Sequence, residues 1–251
     1  MTADTWINAL YLPVSSRVGQ RVPKKLLLEN GTPTAADKRL VNEGIEEIHW
    51  IAALKPASVG VPAFRDDTRE YVEIAVLRMH LRADTKAARL IELLHRAVPY
   101  PVVLWTALDT RIMLSLAHKR HAINENDKIV LDGEPIIVEC ASANAAVETA
   151  FLNALDVARQ PREDIFAFYQ GWLDVALALQ AAQITGTFRL LDSADQLVAR
   201  RAALQSCVIL QAKIAGLRTS AGKASQMARQ VELNIELKRT QSELEMARAQ
   251  L

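Results

Sequence analysis

From Leu190 onward the apolar residues recur at alternating spacings of four and three, a period that gathers them into one seam along a helix. The first run is Leu190, Ala194, Leu197, Arg201, Leu204 and Val208. The pattern slips near Gln211, continues through Ile214 and Leu217, fades across residues 216–230, and resumes at Leu233, Leu237, Thr240, Leu244, Ala247 and Leu251. Two seams around an interval with Gly216 and Gly222 fit a helical hairpin or one interrupted helix. The hairpin is the expectation, because each glycine costs a helix interior ~1 kcal/mol. Residues 188–251 therefore read as a coiled-coil arm. A stripe that folds back on itself needs no second chain, whereas an unpaired one gives a homodimer through the coiled coil, and the pattern alone allows both.

The arm is charged unevenly. No acidic residue occurs from Gln196 to Val231, while Arg200, Arg201, Lys213, Arg218, Lys223 and Arg229 are all basic. From Phe188 to the last residue there are ten Lys or Arg against six Asp or Glu, although the whole chain carries a net charge of only +1. A basic arm of this kind meets nucleic-acid phosphates or an acidic partner. The alternative is a solvated coiled-coil face, and no aromatic residue interleaves with these cations to stack on bases.

Residues 1–140 read as an α+β head. Thr2–Leu10 and Thr34–Glu47 have helical character, Ile48–Leu54 is extended, and Gly60–Thr68, with Pro62 and paired Asp66 and Asp67, marks a loop. Tyr71–Leu81 is apolar on both faces, which predicts a central strand covered on both sides. Asp84 is placed to cap a helix carrying Ala87, Leu90, Ile91, Leu94 and Val98, which Pro99 and Pro101 end. Val102–Leu108 and Ile112–Ala117 predict a hairpin around residues 109–111, and Ile129–Leu131 with Ile136–Val138 another around residues 132–135. The fold class is thus α+β, a mostly antiparallel sheet with packed helices, followed by an all-helical C-terminal coiled-coil arm. Between head and arm, residues 141–187 form a helical connector with helices over Asn144–Ala158 and Arg162–Ile184, then a hinge at Thr185–Thr187.

Cys140 and Cys207 lie in different predicted segments, which favours two buried thiols in a reducing cytosol over a disulfide. The start of the chain lacks the basic, then apolar, pattern of a secretory signal. The most apolar window, Trp172–Ile184, contains Asp174, Gln180 and Gln183, short of the ~20 apolar residues of a membrane span. The expectation is a cytoplasmic protein without a membrane partner.

Catalytic motifs are missing. No GxxxxGK[ST] phosphate loop, GxGxxG turn or GxSxG elbow occurs. His118 and His121 have no third metal ligand nearby. A divergent metal-dependent nuclease needs an acid–x–Lys pair on a strand, and neither Glu73, followed two residues on by Ala75, nor Glu139 supplies it. No cofactor is expected, and the reading leans away from an enzyme. Two basic clusters remain: Arg21 with Lys24 and Lys25 around Pro23, and His118–Lys119–Arg120–His121 at a strand end. Each could hold an anion, or could be a solubilising edge paired with acids such as Asp66, Asp67 and Glu70.

Several segments carry a family resemblance: residues 21–25 (RVPKK), 69–76 (REYVEIAV), 95–101 (HRAVPYP), 114–120 (LSLAHKR) and 229–238 (RQVELNIELK). In these the chain resembles an uncharacterised bacterial domain-of-unknown-function family. Its members are often encoded beside helicase and DNA-methyltransferase genes in type III restriction-like defence islands. The resemblance implies an accessory subunit of a phage-defence system, with a helicase or DNA methyltransferase, and in the alternative DNA, as partner. It also implies a shared anion- or partner-binding surface at Arg21, Lys24, Lys25, Arg96, Lys119 and Arg120, beside His118.

Overall fold

The computed structural model describes residues 2–31, 33–83, 85–123, 128–141 and 144–251. The chain divides into two compact units, Met1–Leu179 and Gln180–Leu251. The first begins with α1 (Ala3–Asn8), β1 (Arg17–Arg21), α2 (Lys24–Asn30), α3 (Ala35–Gly44), β2 (Ile45–Leu54) and α4 (Pro56–Val59). A short hairpin, β3 (Phe64–Arg65) with β4 (Glu70–Tyr71), leads to β5 (Ile74–Leu81), α5 (Ala87–Ala97), β6 (Val102–Leu108) and β7 (Arg111–Leu116). Then come β8 (Lys119–His121), β9 (Ile129–Leu131), β10 (Ile136–Glu139), α6 (Ala145–Ala154) and α7 (Ile165–Thr185). The second unit holds α8 (Ala194–Lys223) and α9 (Met227–Arg248).

Six strands form one sheet in the order β1-β2-β5-β6-β7-β10. Every neighbouring pair is antiparallel except β5 and β6, which run parallel and are joined by α5. A parallel pair needs such a crossover, and the amphipathic α5 supplies it. Its Leu90, Ile91 and Leu94 are all 0% exposed. The expected cap at Asp84 lies outside the described residues.

The sheet is buried on both faces. Ala75, Leu77 and Met79 of β5 join Leu104 of β6 and Leu90 and Leu94 of α5 in one core. The alternating residues Ile74, Val76, Val103 and Trp105 are buried on the other face, where Asp4 of α1 meets Arg78 at 2.6 Å. Trp6 packs against Phe151 of α6 with ring centroids 5.6 Å apart. The Tyr169 hydroxyl of α7 donates to Val102 O at 2.8 Å.

Some local expectations are corrected. The helix expected over Thr34–Glu47 stops at Gly44, because Ile45 and Ile48 are drawn into the sheet core. The strand expected over Tyr71–Leu81 breaks at residues 72–73: Tyr71 belongs to the β3–β4 hairpin and Val72 is 42% exposed. Ile129–Leu131 and Ile136–Val138 are both extended but do not pair with each other. β9 joins β8, and β10 joins β7 at the sheet edge. Composition marks both as strands but says nothing about which neighbour has a free edge. The β6–β7 hairpin forms as expected, with Leu108 opposite Arg111 and Asp109 in the left-handed region at φ 52°.

The second unit is a helical hairpin. Cys207 and Ile214 of α8 cluster with Leu244 and Ala247 of α9, flanked by Leu210 and Leu237. Lys213 reaches across to Glu236 at 3.0 Å. The α9 seam falls on the expected positions, but in the first seam Leu190 and Ala194 are exposed and two further positions are shifted by one residue. Arg200 and Cys207 are buried, whereas Arg201 and Val208 are exposed. Gly216 and Gly222 are both inside α8, and the reversal comes at residues 224–226, just beyond them.

Both cysteines are free and buried. Among the described residues α7 is the one helix long and apolar enough to cross a membrane, and 72% of its apolar window is buried inside the protein.

Candidate functional site

Two of the segments singled out in the sequence meet at one place on the head. β1 ends at Arg21, Pro23 turns the chain, and α2 starts immediately after it. At its far end α2 is held against α5 by Gly31, where a Cβ would lie 2.7 Å from Ala97 Cβ. Between them opens a cavity of about 330 Å3, at the small end of the ~300–1,000 Å3 range of ligand pockets. Leu77 and Ala75 of β5 face it from the sheet, Leu26 and Leu27 from α2, and Ala97 to Tyr100 from the end of α5. Trp50 of β2 completes the wall, with its indole N–H already donated to Ala52 O at 2.8 Å. The polar groups at this cavity are Gln20, Arg21, Asn30 and the Tyr100 hydroxyl. Its walls are mostly aliphatic and aromatic, so the cavity suits an apolar group.

The basic residues around it have divergent fates. Arg21 is exposed and has no ion-pair partner among the described residues. Lys24 turns its ammonium to the end of α3, bonding Ile45 O and, at 3.2 Å, Asn42 O. Burial, then the nearby Arg82 and Arg21 cations, lower its pKa. Lys25 lies 3.6 Å from Glu29, and Arg96 lies 2.6 Å from Glu92.

Lys119 is 2% exposed, and its ammonium bonds His95 O and, at 2.8 Å, Val98 O, so it closes the C-terminal end of α5. Burial pushes its pKa down to about 7. Arg120 bonds His121 O at 3.0 Å and lies 3.7 Å from Asp132, an acid the sequence did not suggest for it. Arg69, which the sequence reading passed over, reaches Asp132 at 3.1 Å.

His118 belongs to an aromatic cluster rather than to a basic patch. Its ring stacks on Phe166 at 4.8 Å, and its Nδ1 accepts from the Tyr71 hydroxyl at 2.7 Å. The Tyr71 oxygen in turn accepts the Lys119 N–H at 3.0 Å. That tautomer lets His118 Nε2–H donate to Gln170 Oε1 at 2.8 Å, and Gln170 donates to Asp174 at 2.7 Å. Burial raises the Tyr71 pKa. A second polar pair, His95 with Ser115, is 3.0 Å apart and fully buried. At a chain separation of 20 residues, no local spacing signals this contact. Burial, then the Lys119 charge, pull the His95 pKa down to about 3, so the ring is neutral. Among the described residues no three His, Cys, Asp or Glu side chains group as a metal site.

The arm divides its cations in the same way. Arg200 is buried and donates to Arg189 O at 2.7 Å, Lys213 pairs with Glu236, and Arg229 pairs with Glu232 at 2.9 Å. Arg201, Arg218 and Lys223 are exposed without an ion-pair partner among the described residues. The same helix exposes Val198 at 70%, Val208 at 66% and Ile209 at 60%. On α9, Val231 and Ile235 are 53% and 65% exposed. Surface apolar residues scattered singly need no explanation; here several are exposed on one hairpin that also carries exposed cations.

The head thus carries an apolar cavity, and the helical hairpin carries exposed apolar and exposed basic side chains. Residues 10–244 match the family described as Domain of unknown function (DUF4391), and the chain belongs to that family. No curated protein and no solved structure matches it.

Proposed function

We propose that this chain is a non-catalytic accessory subunit that docks a partner protein through its head and its hairpin arm, in the cytosol of a bacterium. The observation that carries this reading is the arm, where exposed Val198, Val208 and Ile209 share α8 with the unpaired Arg201, Arg218 and Lys223. Apolar side chains gain from burial against another protein at about 25 cal/mol per Å2, and flanking cations select an acidic partner and speed encounter. The sequence resemblance supports a place in a restriction-type anti-phage system, with a helicase or DNA-methyltransferase subunit as the partner. Co-expression with such neighbouring subunits tests it. The wild-type chain should co-purify with one of them, and Val208→Asp with Ile209→Asp, both surface changes, should abolish the association. Failure of every such subunit to co-purify would sink the proposal.

The acid-free stretch of α8 favours a second reading, a DNA-binding accessory that contacts the phosphate backbone. Backbone binding is strongest at low salt, and its log–log salt slope falls by about 0.9 for each phosphate contact removed. Replacing Arg201, Arg218 and Lys223 by Gln should then flatten the slope by three times that amount, about 2.7. Undetectable binding to single- and double-stranded DNA at low salt eliminates this version.

A further inference from the structure

The docking role leaves unnamed what the head cavity takes, and three features at one edge of the sheet bear on it. The first is an open strand. β1 bonds β2 on one side and, among the described residues, has no strand on the other. Val22 N–H donates to Ile48 O at 2.9 Å, and Arg21 lies opposite His49. Antiparallel alternation therefore turns the backbone N–H and C=O of Arg21 away from β2. The bulge at Gly19, φ +66°, and Pro23 bound this open stretch, so only a short segment can pair there.

The second feature is position. Gln20 to Pro23 form one wall of the cavity, so a segment added beside Arg21 runs along its mouth. Leu26, 48% exposed, forms part of the opposite lip. The third is charge. Between Asp4 and Glu29 the chain has no acid and carries Arg17, Arg21, Lys24 and Lys25. Arg17 and Arg21 are exposed and have no ion-pair partner among the described residues. Apolar walls gain nothing from a phosphate backbone, whereas a sheet edge beside an apolar pocket suits an extended peptide. Main-chain hydrogen bonds then give affinity, and the pocket reads a side chain.

We propose that the β1 edge and the adjoining cavity bind an extended acidic segment of a partner protein, which pairs with Arg21 and seats one apolar side chain between α2 and Trp50. This rests on the docking role given to the head above. The segment's carboxylates meet Arg17 and Arg21, and its anchor side chain displaces water from the space beside Leu26, Leu27 and Leu77.

Selection of a displayed random-peptide library on the full chain tests this, followed by titration of the strongest sequence as a synthetic peptide. The enriched sequences should combine acidic residues with one aliphatic or aromatic residue. Binding should change the emission of Trp50, because the other three tryptophans are at most 2% exposed. Arg21→Glu and Leu26→Asp, both at exposed positions and checked for native circular dichroism, should each weaken the peptide about tenfold or more. The Arg21 amide should gain protection from hydrogen exchange on binding. Enrichment no better than on an unrelated protein, or peptides that bind both variants as well as the wild type, would overturn the proposal. Co-purification of a partner subunit that survives Leu26→Asp leaves the docking role standing and removes this site. Peptide binding as described without any co-purifying subunit does the reverse.

Discussion

Single side chains in the head show how burial, rather than chemical type, decides what a polar group does. Lys119 and Arg21 are both cations in basic clusters of the sequence. One is sealed against the carbonyls that end α5, and the other stands free at a cavity rim. His95 makes the energetic consequence measurable. Its folded-state pKa, about 3, lies below the ordinary 6.5. Between those values the unfolded chain takes up a proton that the folded chain refuses, so stability falls as pH falls. The slope is about 1.4 kcal/mol per pH unit at most. We expect urea denaturation between pH 6 and pH 4.5 to show this loss, and His95→Gln to remove most of it. A wild-type stability that is flat across this window would contradict the buried, neutral assignment.

At the level of elements, the glycines of α8 separate two effects that the sequence merges. Gly216 and Gly222 suggested the place where the arm folds back, yet both are helical, and nothing lies within 4 Å of a Cβ built on either. Each should therefore accept alanine with a gain of about 0.5–1 kcal/mol, seen as a higher denaturation midpoint of the arm. A loss instead would mean that the glycines serve a close contact. The same helix shows why its seam was misphased. Spacings of four and three starting at Leu190 place Arg201 and Val208 inward, but Leu190 precedes the helix, which starts at Ala194. The second seam, whose residues from Leu233 to Ala247 all lie inside α9, is legible there. In the head, α5 and the β6–β7 hairpin are read from local pattern alone. The β7–β10 pairing and the parallel β5–β6 contact depend on partners distant in sequence, which local period does not encode. The cavity was legible only as its two proline-containing segments; their meeting is a product of tertiary packing.

Across the whole molecule, exposed cations without an ion-pair partner among the described residues occur both at β1 of the head and on the hairpin arm. Basic and partly apolar surfaces that remain accessible are also open to proteases. Lys223 is the last residue of α8, exposed, and followed by the reversal at residues 224–226. Loop tips are the preferred points of nicking. Limited trypsin digestion should therefore cut first after Lys223, and a bound partner that covers the arm should delay that cut. First cleavage within the sheet of the head, identified by mass spectrometry, would show that the arm is better protected than its exposed surface indicates.

Gly31 has an evolutionary consequence. With a Cβ 2.7 Å from both Ala97 Cβ and Leu93 O, any other residue there would drive α2 away from α5. Those two helices also bound the cavity, so the tightness of the core and the width of the cavity are one heritable trait at this position. Changes at the exposed Leu26 or Arg21 alter the cavity lining at little cost to folding, but drift at Gly31 alters cavity and stability together.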